Sequence, residues 1–371
     1  MNISEIGFTN TYFACNPAPY KFKANPIRNT VPNKYLWNIM TAKNIALCAG
    51  GYTGEYEVSI NSAKNIAANL DPAKYNVYTV LINRDSWFHD TGPEHINIDK
   101  NDFSLTIAGE KIKFDFAFIT VHGTPGEDGK LQGYLDMMGV PYNTCDATTS
   151  AITMNKAYTK TIVHGIHGLY AARSMQLHRK DAHDVATIAA NLKFPLFIKP
   201  NNGGSSVGMS KVHNIAGLPE AIEKAFHEDD QVLVEEFIKG REFSRGIARI
   251  KGRIVVLPAT EIISTKEFFD YEAKYTPGAS HEITPADLSP KKNEQIAEIL
   301  TEIYLRLNCK GMVRIDFILL DETQDFYFIE VNTTPGQSSA SLIPQQVRAA
   351  GMDLMEFYGD LIEGWFARKE I

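Results

Sequence analysis

An alternation of buried strands with helices, which follows an irregular N-terminal segment, most constrains the fold of this chain. Ile45–Ala49 has the apolar run of a buried strand, and Val58–Leu70 has helical spacing. Tyr75–Ile82 and Phe114–Val121 have the composition of further strands. Parallel strands need a crossover, which a helix commonly supplies, so the alternation predicts a parallel sheet in an α/β domain.

Two glycine-rich loops follow strands of this sheet at its carboxyl edge, where open α/β folds bind ligands. Residues 50–54 form a glycine turn that leads to Glu55, and residues 122–129 form a loop that begins with His122. A glutamate at a helix start is usually only a favourable partner of the helix dipole. His122 could equally face a substrate or bond to the loop backbone. The glycine spacing is not G-x-G-x-x-G, which argues against a dinucleotide fold.

A third glycine-rich segment, residues 201–208, lies between two short strand-like runs, Leu196–Pro200 and Met209–His213. Its backbone amides and the hydroxyls of its two serines could wrap phosphate oxygens. No Lys-Ser/Thr pair follows its last glycine, so it is not a Walker A loop, and a mobile hairpin turn is the alternative. Lys199 directly precedes the segment and favours phosphate binding, since a lysine on a strand can hold a phosphate as a point charge.

Two further segments have the composition of ligand contacts. Val232–Ile238 is typical of a strand that runs into a connector, where backbone groups and Glu242 could bond to an adenine and a ribose. An edge strand with solvated acids is the alternative. Residues 268–275 are aromatic and charged and predict a long ordered loop, such as a lid. Packing of its aromatic side chains on the surface is the competing interpretation.

A hairpin near the C-terminus predicts a metal site. Polar and apolar residues alternate in Arg314–Phe317 and in Phe328–Asn332, so the polar side chains of each strand share one face. A turn at residues 321–325 would place three oxygen ligands beside the Arg314 guanidinium, namely Asp316, Glu330 and Asn332. Such hard ligands suit a Mg²⁺-nucleotide site. A solvated hairpin face with incidental charges is the alternative.

Composition excludes some classes of function. The chain has 371 residues and a net charge of −7, so nothing suggests a nucleic-acid footprint or a basic membrane patch. No apolar run approaches the roughly 18 residues of a membrane span. The cysteines are scattered and form no C-x-x-C pair, which is typical of isolated thiols in a reducing compartment. We therefore expect a cytoplasmic protein.

Residues 1–39 differ from the rest of the chain. They are rich in Asn and Pro, are basic, and show neither helical nor strand periodicity. They lack the apolar region of a secretory signal, and an organellar transit peptide would contain more Arg. We interpret them as a dispensable, poorly ordered extension, or as translated upstream sequence ahead of a true start at Met40.

Taken together, the motifs resemble the D-alanine:D-alanine ligases of the ATP-grasp superfamily. The resemblance runs from about Lys43 to the C-terminus and rests on GGYTGEYEVS, HGTPGEDG, MNK, FIKPNNGGSSVGMSKV, VLVEEFIKGREF, FFDYEAKY, VRIDF and FIEVNTTPGQSSASLIPQQ. It implies a mixed α/β and α+β chain in which an N-terminal α/β (pre-ATP-grasp) domain precedes a two-part ATP-grasp fold. The implied divisions are residues 1–39 (extension), 40–150 (substrate-binding domain), 151–240 (central subdomain) and 241–371 (C-terminal subdomain with the metal and substrate site).

The resemblance also implies an activity. Two D-alanine molecules would be joined with ATP, through a D-alanyl phosphate, for peptidoglycan precursor synthesis in the cytoplasm. Two Mg²⁺ ions would assist, with Mn²⁺ as an alternative ion, and the enzyme would be a homodimer. Residues 337–340 depart from the usual family pattern, which leaves contacts to the second substrate open. Ligases that make D-Ala-D-lactate or D-Ala-D-serine, and a non-catalytic nucleotide-binding module, are the alternatives.

Carried over residue by residue, the resemblance implies four sets of contacts. The ATP set is Lys156, Lys199, Ser206, Glu235, Phe237, Ile238, Glu242, Phe268 and Lys274. The metal set is Asp316, Glu330 and Asn332. The catalytic set is Glu55, Ser205, Tyr275, Arg314 and Ser341. The substrate set is Glu55, His122, Arg314, Gly336 and Ser341.

Within these sets the resemblance implies particular roles for the substrate contacts. Glu55 would bind the ammonium of the first D-alanine, and Ser205 with Tyr275 would close the site over it. Arg314 and the amide of Gly336 would face the oxyanion, while Ser341 would bind the carboxylate of the second D-alanine.

Overall fold

The structure, a computed structural model, describes residues 42–181, 183–204, 206–264 and 280–367. The N-terminal part is a sheet of order β4-β3-β2-β1-β7 with a separate β5-β6 hairpin. Its elements are β1 (Lys43–Gly50), α1 (Tyr56–Ala68), β2 (Tyr75–Ile82), β3 (Trp87–Asp90), β4 (His95–Asn97), β5 (Ser104–Ile107), β6 (Glu110–Lys113), β7 (Phe116–Ile119) and α2 (Lys130–Met138).

The predicted parallel sheet is confirmed, because β1 pairs in parallel with both β2 and β7. The bounds of several predicted elements differ from those observed. The helix predicted at Val58–Leu70 begins two residues earlier, at Tyr56, and the strand predicted at Phe114–Val121 is limited to β7. The strand predicted at Met209–His213 is limited to Ser210–Val212. In addition, β3 and β4 extend the sheet in antiparallel fashion, which the alternation of strands and helices did not indicate.

Both faces of β1 are buried, which explains its continuous apolar run. Ile45 and Leu47 pack on one face with residues of the C-terminal helices, whereas Ala46 and Cys48 pack on the other face with residues such as Phe103. A parallel strand that is covered on both sides exposes neither face to solvent, so its covered residues are apolar on both faces.

The middle of the chain forms a second sheet of order β11-β10-β12-β9, in which all pairs are antiparallel. Its apolar face packs on α5 and α6. The elements are α3 (Ala147–Met154), α4 (Lys156–Val163), β8 (Leu169–Ala171), β9 (Ser174–His178), α5 (Val185–Asn191), β10 (Leu196–Pro200), β11 (Ser210–Val212), a 3-10 turn (Ile215–Gly217), α6 (Leu218–Glu228) and β12 (Gln231–Glu236).

The C-terminal part forms a third sheet of order β16-β15-β13-β17-β18-β8, with β14 paired to β13. Its elements are β13 (Gly240–Ile250), β14 (Arg253–Val256), β15 (Thr260–Ser264), β16 (Ser280–Ile283), α7 (Pro290–Arg306), β17 (Met312–Leu320), β18 (Phe326–Asn332), α8 (Leu342–Ala349) and α9 (Leu354–Phe366). The predicted hairpin is confirmed, because β17 and β18 pair antiparallel and place Asp316 opposite Glu330.

One hydrophobic core joins the first and third sheets. It contains Ile45 and Leu47 of β1, Met312 of β17, and Phe357 and Tyr358 of α9. Cys145 and Cys309 are buried elsewhere as free thiols. Across the described ranges, no helix has the length and apolar character that a bilayer crossing requires.

Candidate active site

A cavity of about 620 Å³ lies where loops and strands of the three sheets converge. Every predicted site residue within the described ranges lines it, namely Glu55, His122, Lys156, Lys199, Ser206, Glu235, Phe237, Ile238, Glu242, Arg314, Asp316, Glu330, Asn332, Gly336 and Ser341. Four predicted residues lie outside the described ranges: Ser205, Phe268, Lys274 and Tyr275. The structure therefore gathers the described set in one place, while the individual roles stay predictions.

The polar face of the β17-β18 hairpin is built around Asp316. Arg314 donates from Nε to Asp316 Oδ1 at 3.0 Å and from a terminal nitrogen to Oδ2 at 2.9 Å. Asn332 Nδ2 donates to Oδ2 at 3.0 Å, and the Ser244 hydroxyl donates to Oδ1. Burial opposes the charge on Arg314, but Asp316 and Glu330 outweigh it and raise the pKa of the guanidinium above its usual value. Arg314 is therefore held as a fixed cation.

The donor set on this face fits Mg²⁺ in chemistry. No group of three or more His, Cys, Asp or Glu side chains arranged for a metal occurs in the ranges described. Asp316, Glu330 and the amide oxygen of Asn332 nevertheless supply hard oxygen ligands, and Mg²⁺ takes few protein ligands because phosphates and water complete its shell. A carboxylate offers about four lone-pair positions, and four donor contacts already reach Asp316. Binding of Mg²⁺ by Asp316 would therefore replace one of these contacts.

Lys156 connects the hairpin to the glycine-rich segment. It is the first residue of α4, and Asn155 caps that helix by accepting from the Tyr158 amide at 3.0 Å. Its ammonium donates to the carbonyl oxygen of Gly203 and lies 3.4 Å from Glu330 Oε2. An ammonium beside a glycine-rich loop is well placed to bind a phosphate that the loop amides also contact.

At the other end of the cavity, Glu235 on β12 forms ion pairs with Lys199 on β10 and with Lys160 on α4. Burial opposes ionisation of Glu235, but its pairing with Lys199 and Lys160 prevails and lowers its pKa to about 2. Sequence reasoning missed Lys160. Its position four residues after Lys156 places both on one helix face, and this spacing could have identified it.

Glu55 is the N-cap residue of α1, yet its side chain does not accept a hydrogen bond from the helix amides. A Cβ atom on Gly204 would lie 3.5 Å from Glu55 Oε2, so the glycine-rich segment passes directly beside this carboxylate. The side chain therefore lies against the cavity instead of capping its helix. This position favours the substrate interpretation of Glu55 over the helix-dipole interpretation.

His122 bonds to backbone, but not to its own loop. Its Nδ1 lies 2.7 Å from the carbonyl oxygen of Thr334, on the segment after β18. A carbonyl only accepts, so Nδ1 carries the proton, and burial lowers the pKa of the ring and favours its neutral form. Nε2 is then an acceptor, and it is buried with no hydrogen-bond partner in the described structure. His122 thus agrees with both interpretations. Its Nδ1 bonds to backbone, and the residue lines the cavity with Nε2 as a further acceptor.

Glu127 is a second residue that sequence reasoning missed. Its Oε2 accepts from the Gly123 amide at 2.8 Å, and its Oε1 accepts from the Thr334 amide at 3.0 Å. Burial and the charge of Glu55 raise its pKa to about 7, against the effect of the two amides and Arg314. Glu127 thus ties the loop of the first sheet to the segment after β18. It was an unassigned acid within HGTPGEDG.

The segment after β18 carries Gly336 and Ser341 in contact with each other. A Cβ atom on residue 336 would come within 2.9 Å of Ser341 Oγ, so a larger residue there would displace the Ser341 side chain. Ser341 also shares a hydrogen bond of 2.8 Å with Ser338. Gln337, on the same segment, is buried, and its amide donates to Ser62 Oγ on α1 at 2.9 Å. The segment that departs from the family pattern is thus anchored on α1.

Comparison with known proteins identifies the family. A sequence model described as the D-ala D-ala ligase N-terminus matches residues 44–145, and one described as the D-ala D-ala ligase C-terminus matches residues 167–363. The chain belongs to the D-alanine–D-alanine ligase family. Its mixed α/β architecture with an ATP-grasp-like C-terminal part is that of the family, so the predicted fold class is confirmed.

Relatives in this family match the chain over most of their length. D-alanine–D-alanine ligase of Azobacteroides pseudotrichonymphae genomovar. CFP2 is 44% identical over 323 residues, which are 86% of this chain and 99% of the relative. D-alanine–D-alanine ligase of Porphyromonas gingivalis strain W83 is 46% identical over 314 residues, 84% of this chain and 94% of the relative. The N-terminal and C-terminal family regions are therefore present together.

Solved structures of ligases share the fold. VanG D-Ala:D-Ser ligase from Enterococcus faecalis superposes with a TM-score of 0.79 at 32% identity, covering 87% of this chain and 99% of that chain. D-alanine–D-alanine ligase from Bacillus anthracis complexed with ATP superposes with a TM-score of 0.69 at 28% identity, covering 89% and 99%. These ligase structures include enzymes named for different second substrates, so the fold alone does not distinguish between them.

Proposed function

We propose that this member of the D-alanine–D-alanine ligase family joins two D-alanine molecules, with ATP, through a D-alanyl phosphate, to supply the dipeptide for peptidoglycan precursors. The observation that carries the proposal is that Lys156, Lys199 and the oxygen donors of the β17-β18 hairpin line the same cavity as Glu55 and Arg314. Curated relatives at 42% to 46% identity, all named D-alanine–D-alanine ligase, support the same reaction.

ATP would lie along the cavity with its base near β12 and its phosphates near the hairpin. Glu235, Glu242 and the backbone at Phe237 and Ile238 would hold the adenosine, and Ser206 would lie over the phosphates. Lys156 and Lys199 would hold phosphate oxygens. Such positioning and charge neutralisation account for most of the catalysis of phosphoryl transfer.

Asp316, Glu330 and Asn332 would hold the Mg²⁺ ions, which neutralise phosphate charge when bound. Mn²⁺ is an alternative ion, because it also takes oxygen ligands. The donors on the hairpin are consistent with either ion.

The first chemical step activates a carboxylate. Glu55 would bind the ammonium group of the first D-alanine and direct its carboxylate toward the γ-phosphate. The carboxylate oxygen attacks phosphorus, the bond to the β-phosphate oxygen breaks, and ADP leaves. The resulting acyl phosphate is a good electrophile because inorganic phosphate is a good leaving group.

The second step forms the peptide bond. The neutral amine of the second D-alanine attacks the acyl carbon while Ser341 holds its carboxylate. Arg314 and the Gly336 amide would stabilise the developing oxyanion, and each strong donor at such a position is worth about 3 kcal/mol. His122 Nε2 is an acceptor and would bond to substrate N–H groups. Loss of a proton from the attacking nitrogen and expulsion of phosphate then complete the dipeptide.

The decisive experiment measures phosphate release from ATP with D-alanine, L-alanine, D-serine or D-lactate supplied singly and in pairs. We expect turnover with D-alanine alone and D-alanyl-D-alanine as the product. The D-serine arm is included because a D-Ala:D-Ser ligase shares the fold. If none of these substrates stimulated phosphate release, the proposal would be refuted. A mixed product would instead indicate a ligase with a different second substrate.

A competition between D-alanine and D-lactate extends this test to the nucleophile. A neutral amine is the nucleophile, so dipeptide synthesis should rise from about pH 6 to about pH 9, whereas a hydroxy acid needs no such deprotonation. The sequence prediction that Tyr275 helps to set this preference concerns a residue outside the described ranges. Depsipeptide as the main product throughout would refute D-alanine as the second substrate.

We also propose that the protein is cytoplasmic, where ATP is available, and that it is a homodimer, as the resemblance to the family implies. Light scattering coupled to size-exclusion chromatography measures the oligomeric state directly. A mass of one chain, near 41.4 kDa, would contradict the dimer.

A further inference from the structure

Lys160 lies behind the nucleotide end of the cavity and does not line it. Its ammonium donates to Glu235 Oε1, to the carbonyl oxygen of Ala172 at 2.8 Å and to Ser174 Oγ at 3.0 Å. The side chain is 10% exposed. An ammonium has three N–H donors, so these contacts use all of them and leave none for a ligand. Lys160 can therefore act on a ligand only through its neighbours.

The neighbour that lines the cavity is Glu235, whose two carboxylate oxygens are held separately. Lys160 pairs with Oε1 and Lys199 pairs with Oε2. With both oxygens held by cations, the carboxylate plane has one orientation. The carboxylate also stays ionised, and an ionised carboxylate only accepts hydrogen bonds. About two of its four lone-pair positions remain for a ligand.

We propose that Lys160 is a positioning residue that holds Glu235 as an oriented acceptor for the exocyclic amino group of the nucleotide base, and that it thereby selects a 6-aminopurine over a 6-oxopurine. The proposal rests on the proposed ATP site. An amino group donates to the carboxylate, whereas an oxo group presents a second acceptor to it and leaves buried lone pairs unmatched. Sites that match one hydrogen-bonding group reject an analogue lacking it more strongly than apolar contacts do.

Without Lys160, Glu235 Oε1 would lose its cationic partner, and Lys199 would remain paired with Oε2 only. A buried carboxylate that loses one partner is left partly uncompensated, and with one oxygen released its plane is no longer fixed toward the base. Loss of Lys160 is therefore expected to affect recognition of the base and not only local stability.

The test compares binding of MgATP and MgITP by isothermal titration calorimetry, in the absence of D-alanine. The variants are Lys160→Met, which keeps length and removes charge, Lys160→Arg, which keeps charge, and the control Lys291→Met on an exposed position of α7. For Lys160→Met we expect ATP affinity to fall about tenfold or more and ITP affinity to fall less than about threefold, since a bond to a charged group is lost only for ATP. Lys160→Arg should recover most of the ratio, and Lys291→Met should match the unsubstituted protein.

Each outcome decides between explanations. An unchanged ratio of ATP to ITP affinity would overturn the proposal. Equal losses for both nucleotides would then show that Lys160 merely supports the structure. If Lys160→Met shows no cooperative thermal transition, Lys160→Gln replaces it, because its amide still donates to Glu235 and Ala172. The expected fall in the ratio is then about threefold. Failure of the unsubstituted protein to bind ATP would instead refute the proposed function.

Discussion

At the scale of single residues, charges in the cavity occur as contact pairs. Arg314 is paired with Asp316, Lys156 with Glu330, and Lys199 with Glu235. Removal of one member of a buried pair leaves the other without compensation, which costs more than the pair contributes. Substitutions here should therefore alter both ligand binding and the state of the remaining partner.

Replacement of Glu330 by Gln tests the proposed metal set. The substitution keeps shape but removes a charged oxygen ligand, so we expect turnover to fall by more than about tenfold at saturating Mg²⁺. The exposed Glu298→Gln on α7 is the matched control and should retain full activity. Residual activity above about a tenth in Glu330→Gln would remove the assignment of Glu330 as a metal ligand.

Glu127 should make stability depend on pH. Its folded pKa of about 7 lies above the ordinary value of 4.5, so the folded state binds more protons between these values than the unfolded state does. Its contribution is fully present below about pH 4.5 and is lost as pH rises through about 7. The free energy of unfolding of the unsubstituted protein, minus that of Glu127→Gln, should fall by about 3 kcal/mol across this interval. Urea unfolding at several pH values measures it, and a flat difference would contradict the assignment.

At the scale of elements, α1 and the segment after β18 form one unit around the reaction centre. Glu55 precedes α1, and Ser62 and Asn65 on the same helix bond to the backbone amide and carbonyl of Gln337. The helix that presents the proposed first-substrate contact therefore also anchors the loop with Gly336. A rigid support of this kind holds donors in the geometry that catalysis requires.

Replacement of Ser62 by Ala tests that anchor. It leaves the buried Gln337 amide without its acceptor, which costs about 1–3 kcal/mol in stability. We expect kcat to fall several-fold, since the Gly336 amide loses its support, while KM for ATP stays unchanged. The control is Asn61→Ala on the exposed face of α1. A parallel rise in KM for ATP would show that the change has spread to the nucleotide end of the cavity.

At the scale of the whole molecule, the cavity lies at a junction that a shared core supports. Side chains of α8 and α9, such as Ile343 and Phe357, pack in the same cluster as Ile45 of β1 and Met312 of β17. The C-terminal helices therefore fill the space between the first and third sheets. Stability of the site and stability of this core should be linked.

Replacement of Phe357 by Ala tests the link. Phe357 is fully buried, and loss of a phenyl group from a core costs about 3–5 kcal/mol. We expect a lower melting temperature in a transition that circular dichroism and intrinsic fluorescence report together. Met355→Ala on the same helix is the control, because that side chain is 40% exposed. Two separated transitions in Phe357→Ala would show that the first and third sheets unfold independently.

Local patterns in the sequence predicted the elements and the composition of the site. The apolar composition of residues 75–82 predicted β2 with its observed bounds. The alternation of polar and apolar residues predicted the β17-β18 hairpin, because side-chain direction in a strand follows from spacing alone. The motifs also predicted fifteen residues that the structure places around one cavity. The domain boundaries, the metal set and the individual residue roles stay predictions.

The tertiary structure alone decided which charged groups meet and how strongly water is excluded from them. Lys160 meets Glu235 across 75 residues of sequence, and Glu127 meets Thr334 across 207. No local spacing encodes such contacts, because they arise when separate elements pack on a common core. Burial then sets the charge states, which raises the pKa of Glu127 and lowers that of His122. The sequence thus determined which chemical groups are present, and packing determined their partners and their protonation, because desolvation depends on what surrounds a group in space.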